Sequence, residues 1–248
     1  MTDPEVSQYA AEFRNGLAES LSKNISEVLE KNQAKIDESY ARLTCLQALR
    51  LYLLNDKLSP GALGFFAEAQ GDGLTSQVLV LSGSTRSALK SLRSLIENIV
   101  RSVYYADHPV EYKLWEAGKH RPTFKSLFDY LEGHPDLADL DTSLNPQSAL
   151  HWNWKKLSQS VHASAKEERM SSEADKISIW RTTQRSVGKW ATFQRNVIKD
   201  VCLLYLALHR ESLQGASLKP LRESLALGIP ANLDAKIATH FNVRVVRS

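Results

Sequence analysis

The sequence is poor in cysteine: it has two in 248 residues. Cys45 and Cys202 each lie inside an apolar helical pattern, so we expect two buried free thiols. Two cysteines without a close ligand spacing are too few for a disulfide framework or a structural zinc site. We therefore expect neither a metal nor a disulfide scaffold.

Long hydrophobic runs are also missing. No apolar stretch approaches the roughly 18–20 residues that cross a bilayer, and the first residues, MTDPEVSQYAAEF, lack the basic and apolar regions of a signal peptide. These absences predict a cytoplasmic protein with no membrane partner.

Several catalytic motifs are absent as well. The chain has no GxxxxGK[ST] loop, no GxGxxG, no GxSxG, no HExxH and no paired CxxC. Nucleotide cradling, the common hydrolase mechanisms and zinc chemistry therefore have no support, and we expect no cofactor.

What is present is helical periodicity along nearly the whole chain, which predicts an all-α protein. We divide it into amino-terminal helices (1–60) that pack on the bundle or on a partner, a bundle core (61–213), and carboxyl-terminal short helices with a tail (214–248). Within the first part we expect helices over 3–31 and about 34–55. Gly71-Asp72-Gly73 is expected to break the chain before the next helix.

The central segment, Gly83–Pro109, predicts one long helix with a buried stripe and a polar row beside it. Pro109 is expected to end the helix just after His108, because the residue before a proline avoids the α conformation. The polar row follows offsets of seven, four, four and seven residues and consists of Arg86, Arg93, Glu97, Arg101 and His108.

Two further polar groups stand on other helices. Ser158 and His162 are four residues apart on the helix that begins at Asn145-Pro146, so they are neighbours on its surface. A basic row near the start of the last long helix, expected over about 176–213, comprises Arg181, Arg185 and Lys189. Eleven of the basic residues, against four acidic ones, follow residue 179, and this excess suits an anionic partner.

Arg101 and His108 are separated by six residues, and this pair resembles the Rx4-6H signature of the HEPN superfamily. The polar residues from Ser87 to Glu97 and the later segments YYADHPVEYKLW and KLSQSVHA are similar to helical bacterial families near HEPN. The resemblance covers roughly residues 75–210. It implies a HEPN-like helical bundle with extra amino- and carboxyl-terminal helices.

The resemblance also implies a function: metal-independent RNA cleavage by an effector or accessory of a bacterial phage-defence or toxin–antitoxin system. Arg101 would then stabilise the phosphate and His108 would act as acid or base, because arginine is a permanent cation and histidine titrates near neutrality. Arg93 and Glu97 would hold Arg101, while Arg86, Ser158, His162, Arg181, Arg185 and Lys189 would contact substrate. Such sites are commonly completed by dimerisation, so a homodimer is implied.

Three other interpretations remain open. Arg93, Glu97 and Arg101 also fit an ordinary salt-bridge ladder on a helix, with His108 as a capping residue. The acidic first helix and the basic last helix fit a non-catalytic regulatory subunit that binds a larger nuclease or ATPase encoded nearby. A third interpretation is nucleic-acid binding without cleavage through Arg181, Arg185 and Lys189.

Overall fold

A computed structural model describes residues 3–161, 183–213 and 218–247, and this part of the chain contains helices and no strand. The prediction of an all-α protein is confirmed. The helices are α1 (Asp3–Leu49), α2 (Pro60–Leu81), α3 (Thr85–Asp107), α4 (Pro109–Glu116), α5 (Phe124–Glu132), α6 (Pro146–Val161), α7 (Gln184–Leu208), α8 (Lys219–Gly228) and α9 (Asp234–Phe241).

The helix α1 has two unlike halves. Asn32 leaves the helical conformation (φ −139°, ψ 17°), which places a kink where the sequence predicts the boundary between two helices. After the kink the helix is buried against α2, α7 and α8, and it ends in a π-helical turn, Arg50–Leu54. Before the kink most of its side chains are exposed.

The predicted break at Gly71-Asp72-Gly73 is wrong, because α2 runs through all three residues. The Asp72 carboxylate accepts a hydrogen bond from Asn98 Nδ2 on α3 at 2.8 Å. A Cβ on Gly73 would lie 2.7 Å from the Leu43 side chain, so glycine there permits close packing on α1. Tertiary packing thus stabilises a helix that local propensity disfavours. The break comes at Gly83, whose φ of 92° suits glycine.

The core lies where α7 crosses α2 and α3. The Trp190 indole is fully buried, and its Nε1 donates to Ser76 Oγ at 2.7 Å. The Ser76 hydroxyl in turn donates to the Ala88 carbonyl of α3 at 2.8 Å. Both cysteines are free and buried, as the sequence predicts.

One hydrophobic cluster extends from Val28 on α1 to Val243 after α9, and so draws on all three parts into which the sequence was divided. The carboxyl-terminal segment docks through Arg247, whose guanidinium binds Asp234 at 2.6 and 2.7 Å and the Ile229 carbonyl at 2.9 Å. Among the described residues, no helix is long and apolar enough to cross a membrane.

Asp200 is a buried carboxyl between α7 and α6. Asn153 Nδ2 donates to its Oδ2 at 3.1 Å, and Lys199 Nζ lies 2.9 Å from its Oδ1. Burial raises the pKa of Asp200 to about 6, against the opposing effects of Lys199 and Asn153. The folded state therefore binds this proton more tightly than the unfolded state, so the carboxyl lowers stability as the pH rises from about 4 to about 6.

We expect Asp200→Asn to stabilise the protein by about 1–3 kcal/mol above pH 6, with the gain disappearing below pH 4. Urea unfolding of both proteins at pH 4 and pH 8 measures the effect. Equal stabilisation at the two pH values would contradict the assignment.

Candidate active site

The members of the polar row on α3 lie beside three different helices. Its amino-terminal member, Arg86, lies where α3 meets the start of α7, because Thr85 Oγ1 donates to Ser186 Oγ at 3.4 Å. Its middle members face α6, and its last two members face α5. The row therefore does not act as one continuous surface.

The middle of the row is a closed network. Arg93 Nη2 forms a salt bridge with Glu97 Oε1 at 2.7 Å, and its Nε donates to Ser158 Oγ at 3.0 Å. Trp154 Nε1 donates to the same Glu97 oxygen at 2.9 Å, and its ring centre lies 5.1 Å from the Arg93 guanidinium carbon. These polar side chains bind one another, and their contacts join α3 to α6.

The structure corrects one expectation about Arg101. Glu97 is engaged by Arg93 and Trp154, so it does not hold Arg101. The Arg101 Nη1 donates instead to Asn98 Oδ1 at 3.3 Å. Its guanidinium carbon lies 4.7 Å from the Phe124 ring centre and 5.8 Å from that of Phe65.

Arg101 is partly exposed and has no carboxylate partner among residues 3–161, 183–213 and 218–247. Two aromatic faces fix its guanidinium by cation–π contacts without neutralising its charge. The guanidinium is therefore a charged group that aromatic side chains position.

His108 directly follows the last residue of α3, two turns beyond Arg101 and about 10 Å further along the helix axis. Its Nδ1 is 2.8 Å from the Tyr104 carbonyl oxygen, which can only accept a hydrogen bond, so Nδ1 carries the proton. The ring stacks on Tyr104 with centres 4.2 Å apart and meets Tyr130 edge-on at 4.8 Å. In neutral His108, Nε2 therefore holds the lone pair, and no described residue engages it.

Both residues border α5. Arg101 meets Phe124 at the start of this helix, and His108 meets Tyr130 near its end. The seam between α3 and α5 thus presents a guanidinium at one end and an imidazole at the other.

Further polar groups surround the carboxyl end of α3. Tyr130 Oη donates to Asp107 Oδ2 at 2.6 Å, and His134 Nε2 lies 3.3 Å from the same oxygen.

Burial raises the pKa of Tyr105, while the positive charges of Arg101 and Arg121 oppose that rise. Both guanidinium groups are therefore close enough to act on one phenol.

Sequence reasoning missed Arg121 and His120, which follow α4. The His120 ring is nearly parallel to Tyr104 at 6.4 Å between centres, and its Nε2 is buried without a partner in the described chain. No spacing within the sequence relates these residues to α3. Only the turn between α4 and α5 brings them back to it.

The remaining predicted contacts lie elsewhere. Arg185 and Lys189 are exposed on the first turns of α7, at the end of α3 opposite to His108. Ser158 joins the network of Arg93. His162 and Arg181 lie outside the described residues.

No group of three or more histidine, cysteine, aspartate or glutamate side chains in the described chain is placed to hold a metal ion. The chain matches no protein-family model, no curated protein and no solved structure.

Proposed function

We propose that the seam between α3 and α5 binds and cleaves RNA without a metal ion. The observation that carries this proposal is that Arg101, a cation without a carboxylate partner in the described chain, and His108, an imidazole with its Nε2 available, both border α5. A scissile phosphate needs a cation, and the 2′-hydroxyl needs a proton acceptor.

The reaction is a transesterification within the RNA. His108 Nε2 takes the proton of the 2′-hydroxyl while the 2′ oxygen attacks phosphorus, and the bond from phosphorus to the 5′ oxygen breaks. Water protonates the leaving oxygen, so the products are a 2′,3′-cyclic phosphate and a 5′-hydroxyl. Arg101 stabilises the negative charge that develops on the phosphoryl oxygens.

The hydrogen bond from Nδ1 to the Tyr104 carbonyl supports the role of His108. It fixes the tautomer in which Nε2 is basic and sets the ring orientation, as a third group does in other acid–base sites. The network of Arg93, Glu97 and Ser158 supports the site only indirectly, by attaching α3 to α6.

The resemblance to HEPN proteins supports the wider assignment, a HEPN-like bundle acting in bacterial phage defence or as a toxin. The arginine and histidine of the Rx4-6H signature correspond to Arg101 and His108, and these are the two members of the polar row that border α5. The central place of α3, which packs on α2, α5, α6 and α7, agrees with this reading.

The test uses the full chain in EDTA with a short RNA oligonucleotide and a copy carrying one 2′-deoxynucleotide at the mapped cleavage position. We expect cleavage of the RNA and none at the substituted position, and Arg101→Ala should slow cleavage at least tenfold. Lys90→Ala is the matched control, because it removes an exposed cation of the same helix.

Cleavage that needs added divalent metal, or that proceeds at the 2′-deoxy position, would overturn the mechanism. An absence of cleavage together with a stable complex with a larger nuclease or ATPase would favour the non-catalytic regulatory subunit instead.

A further inference from the structure

The first part of α1 extends away from the rest of the protein. Every residue from Pro4 to Gly16 is exposed except Ala11. Val6, Tyr9 and Phe13 expose 49%, 58% and 61% of their surface, although they share one side of the helix. Further along the helix, Asn24 binds the body, because its Nδ2 donates to the Ser82 carbonyl at 3.3 Å.

This segment is not expected to form a stable helix on its own. An isolated helix shorter than about 12–15 residues is marginal in water, and the exposed part of α1 covers only residues 4–16. Gly16 weakens it further by about 1 kcal/mol relative to alanine, and a Cβ added there would meet nothing within 4 Å. No described residue therefore requires glycine at this position, whereas close approach of a second backbone would.

The apolar residues of this segment are arranged symmetrically about Leu17. Tyr9 and Ile25 lie eight residues on either side of it, and Phe13 and Leu21 lie four. A stripe with this symmetry has the same pattern when read in either direction.

We infer that this stripe pairs with the same stripe of a second copy of the chain, with the two helices antiparallel and crossing at Leu17. In a two-fold interface the same surface of both copies is in contact, so each residue must fit the residue at the symmetry-related position. Here Tyr9 meets Ile25 of the second copy, Phe13 meets Leu21, and Leu17 meets itself.

The spacing of the stripe sets the geometry of the pair. From Tyr9 to Ile25 the apolar residues recur every four positions, which forms an i±4 ridge. Two such ridges interdigitate at a crossing angle of about −50°. The helices therefore diverge away from Leu17, and the second copy stays clear of the body that covers Val28.

Sedimentation velocity of the full chain tests the pairing. We expect a dimer for the wild type and for Asn15→Glu, which changes the opposite side of the helix, and a monomer for Phe13→Glu. Because Phe13 is exposed in the single chain, its substitution leaves thermal unfolding of the body unchanged. A wild-type monomer, or a Phe13→Glu dimer, would overturn the inference.

Thiol crosslinking with a short bis-maleimide tests the direction. The native cysteines are buried and do not compete. Leu17→Cys should crosslink two copies, Tyr9→Cys alone should not, and the pair Tyr9→Cys with Ile25→Cys should. Crosslinking by Tyr9→Cys alone would indicate a parallel pair and refute the antiparallel one. The result is independent of RNA cleavage.

Discussion

His108→Ala is expected to slow RNA cleavage in EDTA by a factor of 10² to 10⁴, the usual contribution of a positioned acid or base. The substitution removes Nε2 as the proton acceptor for the 2′-hydroxyl. It leaves Arg101 in place between Phe124 and Phe65, so RNA binding should change little. Single-turnover rates and a separate binding titration distinguish the two effects.

A second variant controls for structure. His108 stacks on Tyr104 and Tyr130, so alanine also removes packing. His108→Phe keeps an aromatic ring at this place and removes both nitrogens. We expect it to be as inactive as His108→Ala while unfolding at nearly the wild-type temperature. Wild-type cleavage by His108→Phe would remove the imidazole from the mechanism.

Trp190→Ala is expected to lower the free energy of unfolding by about 3–5 kcal/mol. The indole is fully buried where α7 meets α2, and its removal leaves a cavity. The loss of the hydrogen bond to Ser76 adds to this cost. The buried Ser76 hydroxyl still donates to the Ala88 carbonyl of α3, but it no longer accepts a hydrogen bond from the indole. Chemical denaturation measures the change.

Trp152→Ala is the matched control for Trp190. The Trp152 side chain is 54% exposed on α6, and its one ring contact is with Lys156 at 5.5 Å. We expect a change within about 0.5 kcal/mol. Equal destabilisation by both substitutions would contradict the place of Trp190 at the centre of the core.

The helices were predictable wherever the apolar period is strong and its ends carry proline or glycine. The segment of α3 is the best case: Gly83 and Pro109 bound it, and its buried stripe follows from the sequence alone. The run through Gly71-Asp72-Gly73 was not predictable, because α2 continues there through contacts with Leu43 and Asn98, which lie far away in sequence.

The candidate site was predictable only in part. The placement of Arg101 and His108 two turns apart follows from helical geometry. Their surroundings do not, because Phe124 and Tyr130 reach α3 only after α4 and a turn. The role expected of Glu97 failed for the same reason: Trp154, 57 residues away, competes for its carboxylate.

The chemistry at the end of α3 is tested most directly by the termini of the RNA fragments. Mass spectrometry of an RNA incubated in EDTA should find 2′,3′-cyclic phosphate and 5′-hydroxyl ends with wild-type protein, at least 100-fold more than with His108→Ala. Equal amounts of these ends from both proteins, or 5′-phosphate ends instead, would contradict cleavage by Arg101 and His108.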